Sequence, residues 1–310
     1  MLMIPVLPAL TVRTFEEQEG DILLEFINRQ LTRALYSEPF NGELLIQQLR
    51  QPSSHFTARW QHVCPLCAWR AGELIGFLDV AAGADEDNLS LPDHQPLGII
   101  RFVALAERDD LHHDTLHALF GAAETFWREQ KAHRVLAFAR TLGYPQFQAG
   151  LGILPGDWNE IIRGLTSNGY AFTQRFYLLQ RSLGQLLEED VPQTDLRLEY
   201  RRTSREIRYH IYHRLVEHIA TARVIDVPTS ALGERYTLHL LDIAVNSAWR
   251  NRNIGKWLLR RVINDATMAG YREIIAFPTS RQAEALILFG QQGFVEQNYR
   301  GYALEKELVL

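Results

Sequence analysis

The sequence predicts an α/β fold built twice in tandem, and three observations carry that prediction. Two stretches end alike, the same order of strand-like and helix-like runs precedes each ending, and the composition is that of a globular chain. The first ending is GYAFTQRFYLLQRSL, from Gly169 to Leu183, and the second is GFVEQNYRGYALEKEL, from Gly293 to Leu308. Each has a glycine closing a helix-like segment, an aromatic residue and a short connection. A strand follows, reading Tyr, two apolar residues, a polar residue, a base, one more residue and Leu. At 310 residues, with 46% hydrophobic and 22% charged, the chain can bury a substantial core, and a disordered, fibrous or membrane-embedded reading of the whole is excluded.

In chain order, the first half opens with the strand LTVRTF and a helix from about Gly20 to Tyr36. CPLCAWRAGELIGFLDVAAG reads as a hairpin and PLGIIRFVAL as an apolar strand. DTLHALFGAAETFWREQ has apolar residues at helical spacing, RVLAFAR is a strand, LGYPQFQAGLGILPG is an extended loop, and WNEIIRGLTSNG is the closing helix. The acidic, proline-containing GQLLEEDVPQTD, residues 184–195, reads as a linker, so the expected domains are 1–185 and 195–310. The second half repeats the order. LRLEYRRTS is its first strand, followed by a helix from about Arg205 to Ala222, and RVIDVPTSALGERY compresses what the first half spends on a hairpin and loop. TLHLLDIAV is apolar on both faces, as a covered central strand should be. A helix then starts near Ile254, with Ile254, Trp257, Leu258, Val262, Ala266 and Ala269 on its buried face. EIIAFPTS and RQAEALILFGQQG supply the next strand and helix.

Several function classes fall away on composition. A net charge of −5 argues against nucleic acid as the main partner. No run of about eighteen apolar residues exists to span a membrane. The opening MLMIPVLPAL lacks a basic n-region and carries two prolines, so it is not read as a signal peptide, and the cytoplasm is the expected compartment. Two cysteines, Cys64 and Cys67 in CPLC, are read as reduced thiols in or beside a strand. With His55 and His62 they make at most half a zinc site, and no second CxxC completes it, so no metal is expected.

The densest chemistry lies in AVNSAWRNRNIGKWLLRRV, residues 244–262, between the apolar strand and the helix at Ile254. Free amides at a helix start, aided by the macrodipole, favour an anion, and Arg250, Arg252 and Lys256 add positive charge there. The physical reading is a phosphate cradle, against the blander one of a solvated basic loop.

With its strand, this junction resembles the acyl-CoA pyrophosphate loop of the GNAT superfamily of N-acyltransferases, whose pattern is Arg or Gln, two residues, Gly, one residue, Gly or Ala. Here it reads Arg250, Asn251, Arg252, Asn253, Ile254, Gly255. Asn253 stands where the family has its first glycine, and asparagine tolerates the left-handed conformation better than other non-glycine residues. EIIAFP, a helix closing on Gly293-Phe294, Ala285 within that helix, and YALEKEL continue the resemblance over about 195–308, with a looser match over 10–183. It implies two tandem GNAT-like domains, each a central mixed β-sheet flanked by helices, a layout similar to mycothiol synthase-like proteins. It also implies acetyl-CoA or another acyl-CoA as donor, a small-molecule or peptide amine as acceptor, and a monomer or homodimer.

The corresponding junction of the first half is FVALAERDDLHHDTLHALF. It places Asp110 at the Arg250 position, His113 at Asn253 and Thr115 at Gly255. Asp109, Asp110 and Asp114 crowd that helix start and would repel a pyrophosphate, so the first half is expected to be a degenerate copy. His112, His113 and His117 are read as surface histidines. In the second half the resemblance implies that the Ile243, Ala244 and Val245 backbone holds the pantetheine, and that a backbone N–H meets the oxyanion. The strand offers two bases: His239, at a position where some members have glutamate, and Asp242; in a regular strand they point to opposite faces. Phe289 replaces the tyrosine that often protonates the leaving thiolate, leaving water, Tyr299 or Tyr302. Gln282 stands where the family often has a CoA-contacting asparagine. These departures keep a non-catalytic CoA-binding or scaffold role open beside acyl transfer.

Overall fold

The computed structural model describes residues 8–50, 58–85, 96–107, 111–203, 206–214, 216–227 and 237–308. The chain divides into two compact units, residues 1–174 with 301–310, and residues 175–300. The first unit contains β1 (Leu10–Thr14), α1 (Gly20–Leu31), α2 (Gly42–Arg50), β2 (Ala58–Arg70), β3 (Glu73–Asp85), β4 (Leu97–Leu105), α3 (His112–Glu129), β5 (Arg134–Ala137), β6 (Leu154–Pro155), α4 (Asn159–Ser167) and the start of β7 (Ala171–Ser182). The second contains the rest of β7, then β8 (Leu196–Arg202), β9 (Glu206–His213), β10 (Glu217–Val227), β11 (Thr237–Val245), α5 (Ile254–Met268), β12 (Glu273–Ala276), α6 (Ala283–Gln291) and the first half of β13 (Val295–Glu307).

In the first unit the strand order is β1-β2-β3-β4-β5, with only β4 and β5 parallel. The end of β13 completes it, Leu304–Glu307 running antiparallel to Arg134–Ala137. The expected hairpin is present as β2 and β3. Ala71 (φ 51°) and Gly72 (φ 82°) make its two-residue turn, and this pair of left-handed residues matches the twist of the flanking strands. Burial pushes the Cys67 thiol up to about 12 and the Cys64 thiol to about 11, which leaves both unreactive at neutral pH. His55 lies outside the described residues. Among the described residues no group of histidines, cysteines and carboxylates could hold a metal, and no helix is long and apolar enough to cross a membrane.

In the second unit the order is β7-β12-β11-β10-β9-β8, and among the described residues only β11 and β12 are parallel. The strand Thr237–Val245 and the helix start at Ile254 are where the sequence reading puts them. Ala269 is a correction: it is exposed and caps α5, while Leu259 and Ile263 fill the buried face. The helix expected over 205–222 is a second correction, since this stretch is the antiparallel pair β9 and β10, turned through Arg214 at φ 50°. Ile207, Ile211 and Ile219 sit four or eight apart and so also fit a helical stripe. The period of two wins because it buries Tyr209, Ile211, Ala220, Ala222 and Val224 on one sheet face. The segment expected as a linker lies within the second unit, where Asn264 of α5 bonds both the amide and the carbonyl of Leu187, at 2.7 and 2.8 Å. The chain changes unit instead inside two strands, at 174/175 in β7 and at 300/301 in β13.

Each unit has its own apolar core. The first also buries a polar cluster: Arg101 of β4 and Asp79 of β3 are 1% and 0% exposed, with Nη1 3.2 Å from Oδ2. Tyr144 donates its hydroxyl to the same oxygen at 2.6 Å, and Arg101 Nη1 also donates to the Gln48 carbonyl of α2 at 3.1 Å. Burial pushes the Asp79 carboxyl up, while the Arg101 guanidinium and the Tyr144 hydroxyl pull against it. Arg101→Met strands that carboxyl, and the expected loss of stability is about 3–5 kcal/mol by denaturant titration. Pairing it with Asp79→Leu should recover much of the loss; equal stability of Arg101→Met and the unmodified chain would show that the cluster holds nothing in place.

Candidate functional site

The second unit opens where its one parallel pair ends. β11 and β12 pair only over Thr237–Leu240 and Glu273–Ala276. From Asp242 to Val245 β11 keeps β10 on one side, and on the other side no strand pairs with it among the described residues. Such a free edge presents backbone N–H and C=O groups to whatever enters. A cleft of about 770 Å³ lies here, lined by Asp242, Ile243, Ala244 and Val245 of that edge, by the loop and first turn leading into α5, and by the start of α6.

A bulge sets which side chains reach the cleft. Leu240 pairs with Val224 and Asp242 with Arg223, so Leu241 is the extra residue. Leu238 and Leu240 face the second core before it, and Ile243 and Val245 face that core after it. His239 and Asp242 therefore share the opposite face, where a regular strand would have separated them. They do not share an environment. Asp242 lines the cleft and is half-buried; His239 is 0% exposed, its ring set edge-on to Phe277 at 5.4 Å, and is not among the lining residues.

The loop from β11 to α5 is shaped by two left-handed asparagines, Asn251 (φ 61°) and Asn253 (φ 60°, ψ 8°). Asn253 caps α5 through its backbone alone. Its side chain makes no capping bond, and its carbonyl accepts the Trp257 amide at 3.0 Å, the first bond of the helix. The amides of Ile254, Gly255 and Lys256 precede the ladder and have no helical acceptor, and no acidic residue occupies that first turn. Arg250, Asn251, Asn253 and Lys256 all line the cleft, and Arg250 Nε donates to the Val245 carbonyl at 3.3 Å, tying the loop back to the strand end. Arg252 does not line it; its guanidinium lies 4.8 Å over the Trp249 ring, and Trp249 is itself anchored by Nε1 to Glu217 at 2.8 Å. A methyl added at Gly255 would sit 3.5 Å from Val245, an ordinary contact, so the packing of the helix start on the strand does not itself require glycine.

The opposite wall comes from α6. Gln282 accepts the Thr279 amide at 2.8 Å through its side-chain oxygen, which leaves its NH₂ for the cleft. Arg281, beside it, also lines the cleft and went unread in the sequence, where a single base ahead of a short helix carries no periodic signal. Phe289 is 4% exposed and packs on Phe294 at 5.0 Å, so it belongs to the core. Tyr299 stacks edge-on to Phe277 at 6.0 Å, and Tyr302 belongs to the first unit, against Phe172.

The first unit repeats this plan with other residues. Its parallel pair also stops early, at Ile100 and Ala137, and α3 follows β4 as α5 follows β11. Its cap is Leu111 at φ −112°, Asp114 occupies the first turn, and His113 and His117 are a stacked pair with centroids 6.3 Å apart. Asp109 and Asp110 lie outside the described residues.

Residues 176–294 match the acetyltransferase (GNAT) family. No curated protein matches the chain. Among solved structures, a tandem GNAT protein from the clavulanic acid biosynthesis pathway is similar at a TM-score of 0.65 and 11% identity, over 96% of this chain and 98% of that one. A GCN5-related N-acetyltransferase from Sphaerobacter thermophilus is similar at 0.59 and 13%, over 97% of each chain. The glucosamine N-acetyltransferase region of a fungal multi-domain GH3 β-N-acetylglucosaminidase gives 0.68 and 12% over 97% of this chain, which spans only 38% of that protein. These identities speak for the fold. Residues 176–294 are thus a GNAT-family acetyltransferase domain, set in a chain whose fold along nearly its whole length is that of tandem GNAT proteins.

Proposed function

We propose that this protein is a cytoplasmic acyl-CoA-dependent N-acyltransferase, with acetyl-CoA as donor and a primary amine of a small molecule or peptide as acceptor, and that the second unit holds the donor. The observation that carries the reading is one cleft bounded by a free strand edge and by a helix start that Asn253 opens in the left-handed conformation. The two parts suit the two parts of an acyl-CoA. A pyrophosphate fits the amides of Ile254, Gly255 and Lys256 with the charges of Arg250, Lys256 and Arg281, and the amide-bearing pantetheine fits the backbone of Ile243, Ala244 and Val245. Asn251 shapes the loop, Arg252 braces it on Trp249, and Gln282 offers its NH₂ from the far wall.

The bound donor supplies a thioester carbonyl: the amine nitrogen bonds to it, the C–S bond breaks, and the amine's proton leaves for a base as the thiolate takes one up. Asp242 is the carboxylate on the cleft wall and the candidate base, with His239 behind it as a buried residue on the same sheet face. No tyrosine stands where Phe289 does, so the thiolate takes its proton from water or leaves unassisted. That same packing of Phe289 favours the second reading, a protein that binds CoA without turning it over.

Replacing Arg250 and Lys256 by alanine should weaken CoA binding at least about a hundredfold in titration calorimetry, since each charge-assisted bond is worth about 1.5–3 kcal/mol. Unchanged affinity would remove the phosphate cradle. Asn253→Gly should keep CoA affinity, whereas Asn253→Val, a β-branched residue at positive φ, should lower it at least about tenfold. Asp242→Asn should reduce kcat about 10²-fold or more with little change in acetyl-CoA affinity, while His239→Ala should mainly lower the melting temperature. Saturable acetyl-CoA binding with no CoA release across an amine panel would support the non-catalytic reading instead.

A further inference from the structure

We propose that the first unit carries a separate site for a small zwitterion, a free α-amino acid or a molecule of that size with one carboxylate and one ammonium group. A cavity of about 280 Å³ lies at the end of β4, between the last turn of α1 and the first turns of α3 and α4. It is the repeat's counterpart of the acyl-CoA cleft: Trp158 and Glu160 open α4 as Gln282 and Glu284 open α6, and both cavities sit where a parallel strand pair parts. The difference is α1, which brings Gln30 and Arg33 to the cavity wall; the second unit has no helix between β8 and β9 among its described residues. The remaining volume equals roughly nine waters at ~30 Å³ each, enough for about ten non-hydrogen atoms and far short of a CoA.

The lining is chemically divided. Gln30 is 3% and Trp158 1% exposed, and the buried Gln30 Nε2 and Trp158 Nε1 donors have no hydrogen-bond partner among the described residues. The Trp158 ring is held in place, stacked on Phe147 at 5.4 Å and edge-on to Phe102 at 6.1 Å, so its N–H keeps one direction. Two buried donors without acceptors are costly to leave, and with the Arg33 guanidinium at the same wall they suit the two oxygens of a carboxylate. Glu107 and Glu160 line the same cavity and are acceptors only, which repels a phosphate and suits an ammonium group. Glu160 also pairs with Arg163 at 3.5 Å. The His112 Nε2 donates to the Ala106 carbonyl at 2.7 Å, which fixes the ring at the cavity wall.

The test uses the full chain and the standard α-amino acids, each measured beside its deaminated acid and its decarboxylated amine, by calorimetry and ligand-observed NMR. At least one amino acid should bind saturably with a Kd of about 1 mM or tighter, and both truncated relatives should bind at least about tenfold more weakly. Gln30→Met and Trp158→Phe, which keep volume and ring, should each weaken binding about tenfold. Arg33→Gln, at an exposed position that cannot unfold the chain, should weaken it as well. Saturating CoA should not compete. The proposal is overturned if no amino acid binds, if the simple carboxylate binds as tightly, if the three variants bind like the unmodified chain, or if CoA displaces the ligand.

Discussion

Two parallel strands that part after four residues are the constraint on which the second unit depends. β11 and β12 pair from Thr237 to Leu240, and from Asp242 onward β11 has, among the described residues, a hydrogen-bonded neighbour on one side only. Backbone groups in that position must meet water or a ligand, because the sheet offers them nothing. The bulge at Leu241 falls at the same level and turns Asp242 to the cleft face. The loop that follows has to reverse the chain and start a helix within a few residues, which it does with a short 3₁₀ turn at Ser247–Trp249 and two left-handed asparagines. Strand edge, carboxylate and helix start thus come to one cleft because the strand pair ends there.

The two copies of the fold show what the same scaffold does with different residues. In both, a parallel pair separates, a helix begins beyond its end, and a short helix closes the far wall. In the second unit the gap stays wide and its loop is basic. In the first, α1 and the turn after it supply Gln30 and Arg33, and the cavity is about 280 Å³ against about 770 Å³. The helix between the first two strands is the element that brings Gln30 to the wall of the smaller cavity. The backbone plan is shared, and side chains decide which ligand each opening suits.

Much of this was legible residue by residue. The repeat endings, the strand at Thr237 and the helix start at Ile254 follow from apolar periodicity, and the left-handed Asn253 follows from a motif that requires positive φ at its first glycine position. The stretch 205–222 was not legible as a hairpin, because its isoleucines satisfy both a helical and an alternating pattern; the sheet face that buries Tyr209, Ile211 and Val224 chooses between them. Arg281 was not legible either, since one base before a helix has no pattern to announce it.

The sequence by itself determined the duplicated α/β plan, the GNAT-like character of the second half, and the positive charge and left-handed backbone of the loop before Ile254. These are local properties, carried by periodicity and by residues near one another in the chain. Tertiary structure alone decided that the units change over inside β7 and β13, since an acidic, proline-bearing stretch looks the same whether it spans a gap or packs on Asn264. It also decided that His239 is buried while Asp242 meets the cleft. One extra residue in a strand reverses every side chain after it, and only pairing with a neighbouring strand reveals that it is there.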